Sequence, residues 1–285
     1  IMTLNNVQID EVITRALAED VISDDITTDT LIKDSWRGQA YFLSKAEGVL
    51  AGIEIARRVF TKTDADLKFK VLIKDGTVIR PGDIIARVNG KLSGILKAER
   101  TALNFLQHLS GIATGTSLYV AAVKGLPVKI LDTRKTTPGL RALEKYAVKT
   151  GGGRNHRMNL SDGILIKDNH LAVLHQQGLS LADVINKAKK EAPSGIKVEV
   201  EVQSPADAQK AAAAGADIIM LDNMKPADMK KAVKLVNKRA LIEASGGITL
   251  SNVRTAAETG VDFISIGALT HSVKALDISL EYEET

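Results

Sequence analysis

Short apolar runs alternate with amphipathic segments along the second half of the chain. The runs are rich in Val, Ile and Leu, and we interpret residues 128–133, 163–168, 196–202, 216–222, 239–245 and 261–267 as strands. Helical spacing of apolar residues follows over 140–150, 181–191, 205–214, 226–236 and 250–259. Strands that alternate with helices are typical of a parallel sheet built from βα units. The pattern predicts a closed or nearly closed α/β barrel, with a doubly wound open sheet as the alternative.

Polar side chains and glycines stand at the carboxyl ends of these predicted strands. They are residues 132–135, 167–169, Glu199 with Glu201, Asp222 with Asn223, Glu243 with residues 245–247, and Gly267. In a barrel, this end of every strand faces one mouth, where active sites lie. The placement favours the barrel over the open sheet.

The chain up to about residue 110 follows a different pattern. A helix is expected around Asp10–Ala18, and strands are expected over 38–43, 67–73 and 84–88. These elements predict an α+β domain. A long helix from about Leu96 to Val123 then leads toward the barrel, and glycine favours a break in it near Gly111 and Gly115.

Composition limits the possible classes of protein. The chain has 285 residues, of which 45% are hydrophobic and 25% charged, as in a globular protein of two domains. It contains no cysteine, which excludes disulfides, thiolate nucleophiles and cysteine-ligated metals. Neither a signal-like start nor an apolar run of about 20 residues is present. We therefore expect a cytoplasmic protein without a membrane segment.

The distribution of charge is more informative than the net charge of +4. Basic residues are concentrated between Asp132 and Asn169, and they are Arg134, Lys135, Arg141, Lys145, Lys149, Arg154, His156, Arg157 and Lys167. Such a cluster favours anionic ligands. Nucleic acid is the alternative, but it usually requires stacking aromatic residues, and this stretch offers only Tyr146. A small polyanion is therefore the preferred ligand.

Two segments carry the strongest candidates for binding an anion. In LDTRKTTPGLR, Arg134 can hold a carboxylate or phosphate in a bidentate contact, while Lys135 adds a point charge. A structural salt bridge of Arg134 is the alternative. In GGGRNHR, three glycines precede Arg154, His156 and Arg157, and glycine permits close approach to a ligand. A flexible hairpin would explain the glycines but not the cations that follow.

Lys167 follows the apolar run Ile164–Ile166 at a strand end. Its charge would be costly to bury without an anion or an acidic partner, so we place it in the site.

Acidic residues complete the candidate site. Glu199 and Glu201 are two apart on a strand and share a face, and Asp222 ends another strand. Glu201 and Asp222 could bind sugar hydroxyls, hold magnesium or stabilise a positive ribosyl carbon. Pairing with neighbouring cations is the alternative. His170 and His175 have poor spacing for a metal site and are expected to be structural.

Glycine-rich segments follow the last two predicted strands. Ser245, Gly246 and Gly247 end one of them, and Gly267 with Ala268 ends the other. Loops in these places form the phosphate site of many barrels, although a tight turn would also require glycine. On the connecting helix, Arg100, Gln107 and His108 share a polar face that meets either water or a second subunit.

Seven segments in series resemble the quinolinate phosphoribosyltransferase family. They are ERTALNFLQHLSGIATGT, LDTRKTTPGLR, GGGRNHRMNLSDGILIKDNH, VEVEV, IIMLDN, EASGGIT and VDFISIGALTHS. The resemblance implies an N-terminal α+β open-faced sandwich over 1–112 and an incomplete seven-stranded α/β barrel over 113–270. It also implies a C-terminal segment, 271–285, that rejoins the N-terminal domain, and assembly as a homodimer or a higher multiple of dimers.

The resemblance also implies an activity, the transfer of a phosphoribosyl group from phosphoribosyl pyrophosphate to quinolinate with decarboxylation, in NAD biosynthesis. Its site residues are Arg134, His156, Arg157 and Lys167 around quinolinate, Arg100 from the partner subunit, Thr133 and Lys135 beside them, Glu201 and Asp222 at the ribose and Mg²⁺, and Ser245, Gly246, Gly247, Ile266, Gly267 and Ala268 at phosphate. Lys135, Lys167, Glu201 and Asp222 are the expected catalytic residues. The rivals are a molybdenum-transport-associated paralogue with another substrate and a non-catalytic polyanion binder.

Overall fold

Two larger sheets and one two-stranded sheet organise the described residues. A computed structural model describes residues 6–20 and 24–283. One compact unit comprises Ile1–Ser117, Thr136–Gly152 and Leu269–Thr285, and the other comprises Leu118–Lys135 and Gly153–Ala268. The domain boundaries expected after residues 112 and 270 stay a prediction.

The elements follow one another in a mixed order and then in regular alternation. They are α1 (Asn6–Asp20), α2 (Ile26–Leu31), β1 (Arg37–Ser44), β2 (Gly48–Val49), α3 (Ile53–Thr63), β3 (Lys68–Val71), β4 (Val78–Ile79), β5 (Ile84–Lys91), α4 (Leu92–Ala122), β6 (Lys129–Leu131), α5 (Arg141–Thr150), β7 (Ile164–Ile166), α6 (Asp168–Gln176), α7 (Leu181–Glu191), β8 (Val198–Val202), α8 (Pro205–Ala213), β9 (Ile218–Asp222), α9 (Pro226–Val236), β10 (Leu241–Ser245), α10 (Val253–Ala257), β11 (Phe263–Ser265), α11 (Ala268–His271) and β12 (Ile278–Tyr282).

The first unit contains an antiparallel sheet in the order β12, β1, β5, β3. Along β1, alternate side chains point inward, and Ala40, Phe42 and Ser44 are buried. Phe42 packs against Phe60 of α3 and Phe69 of β3, with ring centroids 5.5–5.8 Å apart. The three rings form a core between sheet and helix. The edge-to-face contact of Phe42 with Phe60 adds to the stability gained by burying apolar area. Strand β12 completes this sheet by pairing antiparallel with β1.

The second unit contains a parallel sheet in the order β6, β11, β10, β9, β8, β7. The order runs one way without the reversal of a doubly wound sheet, so the predicted barrel is confirmed. Strands β6 and β7 do not pair with each other, and the barrel is therefore incomplete. Arg154, which lies between β6 and β7 in the chain, forms a single parallel bridge to Leu131 of β6.

Helix α4 is continuous over 31 residues, so the expected break near Gly111 and Gly115 is wrong. A β-carbon at position 111 would collide with the carbonyl oxygen of Lys274, whereas position 115 has open space around it. Glycine at 111 therefore lets the C-terminal segment pack directly on the helix. Among the helices of the described ranges, none has both the length and the apolar character of a membrane span.

These two glycines predict opposite effects of the same substitution. Gly111→Ala should lower the free energy of unfolding by about 1–3 kcal/mol because the added methyl group overpacks the contact with Lys274. Gly115→Ala is the matched control, and it should raise this free energy by up to about 1 kcal/mol through helix propensity. Urea unfolding followed by circular dichroism measures both. Equal stability of the two variants would contradict the packing argument.

Candidate active site

The inner face of the parallel sheet is polar toward the carboxyl ends of its strands. Alternation along each strand puts residues two apart on the same face. The register aligns Glu201 of β8 with Met220 of β9 and Met220 with Glu243 of β10. One step further along, Asp222 aligns with Ser245, and Ser245 with Ser265 of β11. Neighbouring strands therefore deliver acidic and hydroxyl side chains to one place.

A cleft of about 540 Å³ opens at this place. Its lining contains nine of the predicted site residues, Thr133, Arg134, Lys135, His156, Arg157, Lys167, Glu201, Asp222 and Ser245. It also contains residues that were not predicted as site residues, namely Leu165, Asp168, Asn169, Met220, Asn223, Glu243 and Ser265. Cations from three loops and carboxylates from three strands thus meet in one unit of the protein.

The other predicted site residues do not line this cleft. Arg100 is exposed on α4 in the first compact unit. Gly246 and Gly247 follow Ser245, and Ile266, Gly267 and Ala268 follow β11. Ile266 is buried, and its backbone N–H donates to the carbonyl oxygen of Leu131. The backbone N–H of Ile266, expected at the phosphate, therefore already has an acceptor within the protein.

The loop after β10 has a backbone that requires glycine. Gly246 and Gly247 have φ of +88° and +62°, in the left-handed region that favours glycine. A β-carbon at position 246 would also collide with the side-chain amide of Asn223, which itself has φ of +51°. The backbone N–H of Asn223 donates to the carbonyl oxygen of Ser245 at 2.9 Å. The loops after β9 and β10 are thereby interlocked at the edge of the cleft.

Two guanidinium groups lie close together in the cleft. Burial lowers the pKa of Arg157, and the neighbouring positive charge of Arg134 lowers it further. Arg157 Nη1 donates to the carbonyl oxygen of Gly163 at 2.9 Å, which fixes the direction of its side chain. A bound anion would offset the repulsion between these two positive charges.

Lys167 lines the cleft as expected, but its charge is not buried, contrary to expectation. Its side chain is exposed, so its charge has no desolvation cost to offset. Lys167 is the N-cap of α6, and its backbone N–H donates to His170 Nδ1 at 2.9 Å. His175 Nδ1 lies 2.7 Å from the carbonyl oxygen of Leu179. Both histidines therefore make local structural contacts.

Packing and backbone conformation require glycine at two of the three consecutive positions 151–153. A β-carbon at position 151 would collide with the carbonyl oxygen of Ala113 on α4, and Gly152 has φ of +90°. Gly151 therefore allows close packing on α4, and Gly152 allows a turn. The segment that follows is held by Asp132, whose buried carboxylate accepts from His156 N at 2.9 Å and from Asn155 Nδ2 at 2.5 Å.

The carboxylates form an outer and an inner pair. In the outer pair, burial raises the pKa of Glu201, with Lys167 opposing the shift and Asp222 adding to it. In the inner pair, Glu199 and Glu243 are almost fully buried beside His156. Carboxylate oxygens such as those of the outer pair are the ligands that Mg²⁺ prefers.

Fold and cleft together define a barrel enzyme that acts on small anionic substrates. The family model described as quinolinate phosphoribosyl transferase, C-terminal domain, matches residues 112–281, and the model of the N-terminal domain of the same family matches residues 25–110. The chain belongs to the quinolinate phosphoribosyltransferase family.

Individual relatives agree with this family over nearly the whole chain. The chain is 41% identical to the probable nicotinate-nucleotide pyrophosphorylase (carboxylating) of Bacillus subtilis strain 168 over 98% of its own length and 94% of that protein. It is 42% identical to the chloroplastic nicotinate-nucleotide pyrophosphorylase (carboxylating) of Arabidopsis thaliana, covering 95% and 82%. The crystal structure of NadC from Streptococcus pyogenes superposes with a TM-score of 0.93 at 44% identity, covering 100% of both chains. The cytoplasmic location stays a prediction.

The raised pKa of Glu201 predicts a pH-dependent gain in stability for Glu201→Gln. A carboxyl group whose folded pKa lies above its unfolded value of about 4.3 costs no stability below that value and costs increasingly more as pH rises through the folded pKa. The variant should therefore melt at a higher temperature than the parent protein at pH 8, and at the same temperature near pH 4. Thermal unfolding without ligands, in a chelating buffer, measures this. Glu191→Gln, at an exposed position on α7, is the control and should show no such trend.

Proposed function

We propose that the protein transfers the phosphoribosyl group of phosphoribosyl pyrophosphate to the ring nitrogen of quinolinate. The products are nicotinate mononucleotide, pyrophosphate and carbon dioxide, and the reaction belongs to NAD biosynthesis. The observation that carries this proposal is the convergence of Arg134, Arg157 and Lys167 with Glu201 and Asp222 in one cleft. A doubly negative heterocycle requires the cations, while a sugar carbon that becomes positive requires the carboxylates.

The basic side of the cleft suits quinolinate. Arg134 and Arg157 can each bind a carboxylate in a planar, bidentate contact, and Lys167 adds a mobile ammonium group. His156 lines the same wall. These groups hold the pyridine ring so that its nitrogen faces the ribosyl carbon, and such positioning contributes to the rate because it removes an entropic cost of the reaction.

The acidic side of the cleft suits the phosphoribosyl donor. The carbon–oxygen bond to pyrophosphate breaks as the ring nitrogen bonds to the same carbon, and Glu201 and Asp222 stabilise the positive charge of the sugar meanwhile. Lys135 lies toward the pyrophosphate, and backbone N–H groups of residues 245–247, 267 and 268 bind phosphate. The carboxylates of Glu201 and Asp222 would hold Mg²⁺, directly or through water, and a bound Mg²⁺ neutralises charge on the leaving group.

Decarboxylation follows from the alkylated ring. The pyridinium nitrogen withdraws electrons, so the bond from the adjacent carbon to its carboxylate breaks, carbon dioxide leaves and the electron pair stays on the ring carbon until a proton replaces it. The cations that bind the remaining carboxylate keep the ring in place. No covalent bond to the protein is needed.

A partner subunit completes the proposed site. The family resemblance assigns Arg100 to the cleft of the other subunit of a homodimer. Its exposed position on α4 leaves its guanidinium available for this contact.

The reaction itself is the first test. The purified protein with Mg²⁺, quinolinate and phosphoribosyl pyrophosphate should produce nicotinate mononucleotide and pyrophosphate in equal amounts, detected by chromatography, with labelled carbon dioxide released from the 2-carboxylate. Replacing quinolinate with nicotinate should abolish product formation. Turnover of nicotinate at an equal or higher rate would favour a paralogue with another substrate. Salt-sensitive binding to duplexes without pyrophosphate release would favour the polyanion binder.

Lys167 provides the second test. Lys167→Ala should raise KM for quinolinate at least about tenfold, which corresponds to about 1.4 kcal/mol of lost binding. Because Lys167 is exposed, the melting temperature should change little. Lys230→Ala, at an exposed position on α9, is the matched control and should leave both values unchanged. Equal losses of stability and activity in Lys167→Ala would mean that Lys167 is structural.

A further inference from the structure

Beneath the cleft, His156 lies between two buried carboxylates that the proposed reaction does not use. His156 Nε2 is 3.0 Å from Glu199 Oε2 and 3.6 Å from Glu243 Oε2. The exposed fractions of the two glutamates are 5% and 1%. One atom from each of the three side chains lies within 4.8 Å of the other two. Charges at such distances inside a protein interact strongly.

These glutamates have few other partners among the described residues. Glu199 Oε1 and both oxygens of Glu243 have no hydrogen bond there, although Ser265 of β11 faces Glu243. A buried carboxylate is costly unless a positive charge lies beside it or a proton neutralises it. His156 is the closest group that can supply either.

Other charged groups surround His156. Asp132, after β6, accepts the backbone N–H of His156, and Arg157 is the next residue in the chain. Arg134, Lys167, Glu201 and Asp222 line the same cleft as His156. The cations of the cleft oppose a charged imidazole, and the two buried glutamates favour it. Burial and then the charge of Glu199 raise the pKa of Glu243, and His156 opposes this rise.

Both sides of this cluster meet a cavity. His156 and Glu243 line the cleft, and together with Glu199 they also line a second cavity of about 330 Å³. The cluster thus forms a wall whose charge is felt by a molecule in the cleft.

We propose that Glu199 and Glu243 are positioning residues that keep His156 oriented and positively charged, so that the floor of the cleft attracts a carboxylate of the substrate. This inference rests on the proposed function for the identity of the substrate. A neutral ring that donates from Nε2 to Glu199 would leave Nδ1 as an acceptor, which repels an anionic oxygen. The charged ring donates from both nitrogens, so the buried carboxylates determine whether His156 attracts or repels the anion.

The charge of His156 can be measured in the protein without ligands. The chain contains five histidines, so ring signals in a ¹H–¹³C NMR spectrum are few, and the signal missing from His156→Asn identifies this ring. The titration midpoint of His156 should lie above the ordinary value of about 6.5. A midpoint at or below this value would overturn the inference even if the enzyme is active. Conversely, an inactive protein in which the titration midpoint of His156 is raised would contradict the proposed function but not this inference.

Substitution of the glutamates tests the consequence for binding. Glu243→Gln and Glu199→Gln should each lower the midpoint of His156 by about one unit or more, which corresponds to about a tenfold change in its proton affinity. At pH 8, KM for quinolinate should rise several-fold while KM for phosphoribosyl pyrophosphate changes less than about twofold, because the charge acts on one substrate. Glu191→Gln is the control for the loss of one carboxylate at an exposed position. An unchanged midpoint, or an equal rise in both KM values, would overturn the proposal.

Discussion

Opposite charges confined to the inner face of a parallel sheet are the constraint on which this molecule depends. An ionised side chain in a poorly hydrated interior must have a partner of opposite sign or give up its charge. The sheet directs Glu199, Glu201 and Glu243 inward, so cations from the loops must meet them there. In the free protein these groups compensate one another only in part, as the lowered pKa of Arg157 and the raised pKa of Glu201 indicate. Under the proposed function, a bound diacid would pair with the cations, and the carboxylates would stabilise a sugar carbon that becomes positive during the reaction.

Periodicity predicted the alternation of strands and helices, because parallel strands buried on both faces are continuous apolar runs. Polar residues at the carboxyl ends of the strands were also needed to favour the barrel over an open sheet. Helices α7, α8 and α9 begin with Ser or Pro, and they were predicted nearly to the residue. The errors come from contacts that are distant in the chain. Nothing near Gly111 indicates that residue 274 packs on it, so its glycine suggested a break where the helix is continuous. Strand β12 likewise depends on β1, far away in the chain, and it was not predicted although its apolar and polar residues alternate.

The site was predictable to a different degree for cations and carboxylates. Arg134 and Lys135 were identifiable because adjacent charges at the end of an apolar strand are unusual. Glu243 was only noted as a strand end, although it shares a face with Ser245 on β10 and that parity would have placed it inside. Glu243 matters because it is buried, and its burial depends on neighbouring strands whose positions a single sequence does not specify. Lys167 shows the reverse, since its position was right and the reason was wrong.

The interlocked pair of Asn223 and Gly246 has a consequence for how this protein can change over time. Each residue lies in a backbone region that most side chains avoid, and the amide of one occupies the space where a side chain of the other would stand. A smaller residue at 223 would remove the collision but not the strain of a side chain at φ of +88°, so a substitution at 246 also requires a change in the loop backbone. Residues 223 and 246 are therefore expected to change together during evolution. Chimaeric proteins that take these two loops from different parents should fold poorly.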